Sequence, residues 1–166
     1  MLVRDEQGRD RSEVYAVNLA AFDTPTEATL VDRLREEAQP VVSMVAVDGE
    51  RVVGHIMFSP VALSGHERLR IAGLGPMAVE PSYQGKGLGA ALVRAGLKRC
   101  KEQGYGAVVV LGHPEYYPRF GFAPAGRSNI RCEYEVPQEA FMSIELEPGY
   151  LKGAAGTIRY HSAFPT

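Results

Sequence analysis

The spacing of apolar residues along the chain changes several times, and each change marks an element. Residues 11–22 (RSEVYAVNLAAF) repeat at a helical period, which predicts a helix. Thr24-Pro25-Thr26-Glu27 follows as a capping-box pattern with proline at the first helical position. Leu30, Val31 and Leu34 then share one face of a second helix. From 41 to 63 the pattern is that of strands: VVSMVAV, then Asp48-Gly49, then RVVGHIMFSPVAL. Asp-Gly between two such runs predicts a hairpin with a type I′ turn. A third strand is expected at 70–79 (RIAGLGPMAV). A bulge or splay is expected at Gly75-Pro76, because proline brings no N–H to a ladder.

A third helix is expected from the glycine-rich run at 84–89 to about Gln103. Leu88, Leu92, Val93, Gly96, Leu97 and Cys100 fall on one side of it, and Arg94, Lys98, Lys101 and Glu102 on the other. Gly104 suits its end. The run AVVVL at 107–111 lacks alternation, as a strand buried on both faces does. After a short turn or helix at 116–122 (YYPRFGF), strands are expected at 141–146 (FMSIEL) and 156–161 (GTIRYH). The order ααβββαβ(α)ββ predicts an α+β, mixed-sheet layer fold.

Composition narrows the function classes. The chain has 166 residues, the size of one domain spanning 1–166, with 45% hydrophobic and 23% charged residues. Eighteen basic and twenty acidic side chains leave a net charge of −2, which argues against nucleic-acid binding driven by bulk charge. No apolar run reaches the ~18–20 residues of a membrane span. The polar, charged start Met1–Arg11 does not read as a signal peptide. Cys100 and Cys132 form no CxxC pair, and no histidine stands at metal-ligand spacing from either. The expectation is a cytoplasmic protein with two free thiols, no disulfide and no metal.

The chemistry concentrates at Gln84-x-x-Gly87-x-Gly89, between a strand and a helix. The first N–H groups of a helix lack internal partners and sit at the positive end of its dipole. Glycines let a diphosphate approach the backbone, and Gln84 or Lys86 could add side-chain donors. Gly85-x-Gly87-x-x-Ala90 also fits a dinucleotide fingerprint in form. Its context fails, because Glu80-Pro81-Ser82-Tyr83 separates strand from loop and the next strand, Val108 to His113, carries no acid. No Gly-Lys-Ser/Thr appears, so the P-loop pattern fails as well.

Four separated segments, GHIMFSPV (54–61), LGPMAVEPSYQGKGLG (74–89), VVLGHPEYYPRFGF (109–122) and FMSIELEPG (141–149), occur in an order that resembles the GNAT superfamily of N-acetyltransferases, and within it the YhbS-like branch. The resemblance covers nearly the whole chain. It implies a central mixed, mostly antiparallel sheet flanked by helices, with two parallel strands splayed around acetyl-CoA. It implies that the pyrophosphate lies on Gln84, Gly85, Lys86, Gly87, Leu88 and Gly89, and the pantetheine arm along Met77, Ala78 and Val79. Tyr117 corresponds to the tyrosine that protonates the departing thiolate, a sensible role for a phenol of pKa ~10. Tyr116 is expected as a wall of the cofactor site. His113 stands where many members carry an asparagine, and contact with the cofactor, a base and a strand-end cap all remain open for it.

Glu80 is the carboxylate best placed for a base, against the reading of a solvated loop acid. Glu27 is explained by the capping box, His55 by a structural hydrogen bond, and Arg119 by a surface salt bridge, each against a role in the site. Cys100 reads as core; Cys132 shows no activating partner. The implied activity is transfer of an acetyl group to a primary amine, on a small molecule or a peptide, without membrane or nucleic acid. The competing class is a catalytically silent acyl-CoA-binding domain acting as sensor or interaction module. Homodimerisation through the C-terminal strands stays open.

Overall fold

The computed structural model describes residues 1–165. Each expected element is present: α1 (Arg11–Ala21), α2 (Thr26–Glu37), β2 (Val42–Asp48), β3 (Arg51–Leu63), β4 (Ile71–Val79), α3 (Leu88–Glu102), β5 (Ala107–Leu111), β8 (Phe141–Glu145) and β9 (Gly156–Arg159). Three strands were not anticipated: β1 (Leu2–Asp5), β6 (Ala123–Pro124) and β7 (Ile130–Cys132). With four, two and three residues, they are too short to display a period. The result is a mixed α+β fold of sheet and three helices.

The chain forms two compact units. One holds Met1–Ser59 and Gly75–Arg99, the other Pro60–Leu74 and the chain from Cys100 onward. Strands β3 and β4 therefore contribute to both.

In the first unit the strand order is β1-β2-β3-β4. β1 and β2 pair antiparallel from Leu2↔Val47 to Asp5↔Met44, and β2 and β3 from Val42↔Phe58 to Asp48↔Arg51. The hairpin forms, but its central residues are Gly49 and Glu50, and only Gly49 has positive φ, +64°. A type I′ turn needs positive φ at both, so the expected turn type is corrected: pairing extends through Asp48 and moves it out of the turn.

Alternation along β3 decides which helix each residue meets. Gly54 faces Leu92 of α3, and Phe58 lies where a side chain on Gly96 would be, 2.2 Å from the ideal Cβ. Gly96 thus lets α3 close onto β3. The opposite face carries His55, which bonds to Asn18 of α1.

His55 is fully buried at the middle of a polar chain. The Asn18 amide donates to its Nδ1 at 3.1 Å, and its Nε2 lies 2.9 Å from the Ser43 hydroxyl. Ser43 donates onward to Glu6 at 2.7 Å, and the Arg35 guanidinium closes on the same carboxylate at 2.6 Å. Burial, with the nearby Arg35 cation, depresses the imidazole pKa to about 3. The ring is neutral and donates through Nε2. Its role is to tie α1 to the sheet, as the sequence reading favoured.

One expectation fails here. Pro25, not Thr24, takes the N-cap position of α2, and no side chain caps the helix. Thr24 Oγ1 receives only a 3.4 Å contact from the Thr26 N–H. Proline at the cap shifts the start by one residue, and Glu27 no longer reaches the capping geometry.

In the second unit, Ile71–Leu74 of β4 pairs parallel with β5, from Ile71↔Ala107 to Leu74↔Val110. β5 pairs antiparallel with β8, and β8 with β6. The end of β3 pairs with β9, which runs parallel to β7. Val61, Leu63, Ile71, Val109, Phe141 and Ile158 fill the core. Residues 107–110 are buried, as their unbroken apolar run required. Among the described residues no helix is long and apolar enough to cross a membrane, and no cluster of His, Cys, Asp or Glu could hold a metal.

Candidate active site

The glycine-rich loop belongs to the first unit and is pinned on both sides. Val79 ends β4, and the Glu80 N–H donates to the Val53 carbonyl at 2.9 Å. A 3-10 turn, Pro81–Tyr83, follows. The Tyr83 hydroxyl donates to Asp48 at 2.6 Å, which fixes the loop to the β2–β3 turn. The Gln84 amide donates to the Val79 carbonyl at 3.0 Å, so one of its two N–H groups holds the loop onto its strand. Lys86 stands with its ammonium 5.4 Å above the Tyr83 ring.

Gly85 and Gly87 have φ of +77° and +84°, and a Cβ at either would meet nothing within 4 Å. Residues 84–87 are exposed. Helix α3 begins at Leu88, with the Ala91 N–H closing its first turn on the Gly87 carbonyl at 3.1 Å. The N–H groups of Leu88, Gly89 and Ala90 therefore have no helical partner. An exposed backbone of positive-φ glycines leading into unpaired N–H groups fits a diphosphate.

Strand β4 leads into this loop. Its ladder with β5 stops at Leu74. Gly75 follows with φ +143° and a cis peptide to Pro76, so the expected irregularity is present. Met77 and Val79 are half-buried on one face; Ala78 is buried on the other, beside Gly54.

The second unit carries the aromatic segment. β5 ends at Leu111, and the Gly112 N–H donates to the Ala140 carbonyl at 3.0 Å. His113 lies beyond the strand, exposed, with its carbonyl accepting the Tyr116 N–H. A 3-10 turn, Tyr117–Phe120, ends at Gly121 with φ +103°. Tyr117 is 8% exposed. Its ring fills the space where a Gly112 side chain would be, 2.3 Å from the ideal Cβ. It makes edge contacts with Tyr116 and Phe122 at 5.1 and 5.7 Å. Its hydroxyl makes no hydrogen bond among the described residues. Burial, reinforced by neighbouring Tyr116, pushes this phenol up to about 12, so it keeps its proton at neutral pH.

Arg119 lies 4.4 Å over the Tyr116 ring and donates to the Tyr116 carbonyl at 2.8 Å. Tyr116 is thus clamped between Arg119 and Phe120, and Arg119 makes this local clasp in place of the expected surface salt bridge.

Glu80 ion-pairs with Arg51 and stands at the cap of the turn that follows β4. That placement gives the carboxylate a neighbouring cation, a partner that the sequence did not announce. Arg51 lies 29 residues away, and only the β2–β3 hairpin brings it there. The Cys100 thiol is pushed up to about 12 by burial. Cys132 is half-buried, its sulfur accepts the Tyr134 N–H at 3.4 Å, and burial raises its pKa as well. Neither is poised as a nucleophile.

Residues 3–125 match the family model described as an acetyltransferase (GNAT) domain. The chain belongs to the GNAT acetyltransferase family. It is 39% identical, over 99% of its length and 98% of the relative's, to the uncharacterized N-acetyltransferase YhbS of Escherichia coli K12. The crystal structure of the Escherichia coli YhbS protein in complex with CoA superposes with TM-score 0.91 at 38% identity, covering 98% of this chain and 90% of that one. A GNAT family acetyltransferase from Brucella melitensis, in complex with acetyl-CoA, gives TM-score 0.80 at 34% identity, with 99% and 97% coverage. In this GNAT chain, the structure adds Gly112 to the residues that shape the aromatic segment. No pattern in the sequence marks it, since its need for a missing side chain arises only when Tyr117 folds back over the end of β5.

Proposed function

We propose that the protein transfers the acetyl group of acetyl-CoA to a primary amine by direct attack. The observation that carries this reading is the exposed run of Gly85, Gly87 and the first N–H groups of α3 immediately after the interrupted strand β4. The CoA and acetyl-CoA complexes of the two similar proteins support it.

In this reading the amides of Leu88, Gly89 and Ala90 hold the diphosphate, and the backbone of Met77–Val79 pairs with the amides of the pantetheine arm. Backbone N–H groups polarise the thioester carbonyl. The nitrogen of a neutral amine forms its bond to the acyl carbon as the carbon–sulfur bond breaks, Tyr117 delivers its proton to the departing sulfur, and the proton the nitrogen sheds passes to water, from which the phenol is restored. A phenol at about 12 is a weak donor to a solvated thiolate of pKa ~8.5. Removal from water raises the thiolate as it raises the phenol, and this brings the two closer. Much of the acceleration then comes from holding both reactants in place. Glu80, paired with Arg51, takes no proton in this scheme.

Calorimetric titration with acetyl-CoA, with NAD as control, tests the first step. Micromolar binding is expected for acetyl-CoA and none for NAD. Gly87→Glu is expected to abolish it, because a carboxylate would stand at the diphosphate position on backbone that disfavours a side chain. Wild-type protein that ignores acetyl-CoA overturns the reading. Binding without thiol release for any amine would leave a silent acyl-CoA-binding domain.

A further inference from the structure

Strand β4 carries two glycines for two different reasons. At Gly75, φ of +143° interrupts the strand. Gly73 is still in the ladder, opposite Val109 of β5, and there the reason is space. A Cβ on Gly73 would stand 2.9 Å from a Val61 methyl and 3.3 Å from Cε2 of Tyr160. Tyr160 thus lays one edge of its ring over β4, in the place a side chain would take. The ring comes from another strand. β9 pairs with the end of β3, Arg159 opposite Ala62. Tyr160, the next residue, stands beside Val61 and reaches across it to Gly73. It is firmly held: Tyr134 stacks on it at 5.7 Å, Phe164 packs against it at 5.2 Å, and its N–H donates to Glu133 at 2.6 Å. All of these residues belong to the second unit.

The direction of β4 gives this packing its meaning. With the diphosphate held after the strand and the pantetheine arm along Met77–Val79, the sulfur end of the cofactor points back toward Leu74. From Val79 to Leu74 the strand covers at most ~17 Å, comparable with an extended pantetheine arm. The acyl group then lies where the β4–β5 ladder closes. A longer acyl chain cannot continue between the strands, because Ile71–Leu74 is paired with β5. On one face of β4 the side chains of Ala72 and Leu74 are buried. On the other face Gly73 brings no side chain, and the Tyr160 ring takes that space.

We infer that the Tyr160 ring is the stop that sets the length of the acyl group this protein accepts. The inference rests on the acetyltransferase reading above and narrows its donor. The donor class is a short acyl-CoA such as acetyl-CoA, and a chain as long as hexanoyl runs into the ring. A clamped aromatic ring is a better stop than a flexible side chain, because it cannot swing aside without breaking its contacts with Tyr134 and Phe164.

Calorimetric titration of the full chain with acetyl-, butyryl- and hexanoyl-CoA tests this without any acceptor. The quantity read is the ratio of affinities along the series. For wild type, affinity is expected to fall at least about tenfold from acetyl to hexanoyl, the order of forcing methylenes into filled space. Tyr160→Phe keeps the ring and is expected to keep that ratio. Tyr160→Ala empties the space over Gly73 and is expected to bring hexanoyl-CoA within about twofold of acetyl-CoA. Tyr160→Leu refills part of that space and is expected to fall between the two; it carries the comparison if the Ala variant does not fold. Equal binding of the three donors by wild type, or a wild-type ratio in the Ala or Leu variant, would overturn the assignment. A relaxed ratio in Tyr160→Phe would overturn it as well, since the hydroxyl rather than the ring would then set the limit. Wild type that binds neither CoA nor any of the three donors is a separate outcome and strikes the parent reading instead.

Discussion

His55 and Tyr117 are both buried, both polar and both depart from their ordinary pKa, yet they do opposite things. His55 has each ring nitrogen engaged, and its neighbours Ser43, Glu6 and Arg35 extend the bonding outward. Tyr117 is held by its ring, against Gly112, Tyr116 and Phe122, and its hydroxyl makes no hydrogen bond among the described residues. A buried polar group whose bonds are all made is part of the frame. One that is fixed by packing, with its polar tip making no hydrogen bond among the described residues, has what the proposed proton donor needs. Burial lowers the histidine and raises the phenol for one reason: each is pushed toward its neutral form.

The largest expected effect attacks the Tyr117 side of this contrast. Tyr117→Phe keeps the ring contacts and removes the proton donor. Turnover should fall about 10²–10⁴-fold, while thermal melting stays within a few degrees; an unchanged kcat would remove Tyr117 from the chemistry. Next in size is His55→Ala, which strands Asn18 and Ser43 and opens a cavity. It should cost about 2–4 kcal/mol in denaturant unfolding, with turnover per folded molecule little changed.

The pH dependence sharpens the same point. The unfolded imidazole titrates near 6.5 and the folded one at about 3, so only the unfolded chain binds this proton between those values. Stability from this group is complete above pH 6.5 and declines as pH falls toward 3, by up to about 1.4 kcal/mol per unit. His55→Gln should flatten that slope in unfolding curves taken from pH 7 to 4; an identical slope would show that the histidine is not its source. The smallest effect is Gly112→Ala. Its methyl would meet the Tyr117 ring, and a loss of about 1–3 kcal/mol is expected. Turnover should drop by more than the stability change explains if ring position matters to the proton transfer.

Much of this was legible in the chain itself. Helical periods, strand-like apolar runs and one unbroken apolar run located α1, α2, β2, β3, β4, α3 and β5, because each buries one face or both and the residues record it. The glycine spacing at 85–89 marked a loop of positive φ that leads into a helix N-terminus, since both are local properties. Turn and cap details were less legible. Gly49-Glu50 replaced Asp48-Gly49 at the centre of the hairpin, and Pro25 replaced Thr24 as the cap, because one extra ladder pair or one ring shifts a boundary.

What only the tertiary structure decided is which side chains are already spoken for. Sequence order places Glu80 after a cofactor strand and Glu27 in a capping pattern. Three-dimensional contacts add what neither position announces, giving Glu80 a cation in Arg51 and leaving one Glu27 oxygen with no hydrogen-bond partner among the described residues. The backbone's needs repeat along the chain and can be read from spacing. The partner of a charge is chosen across the fold, by whichever distant residue the packing brings within about 3 Å.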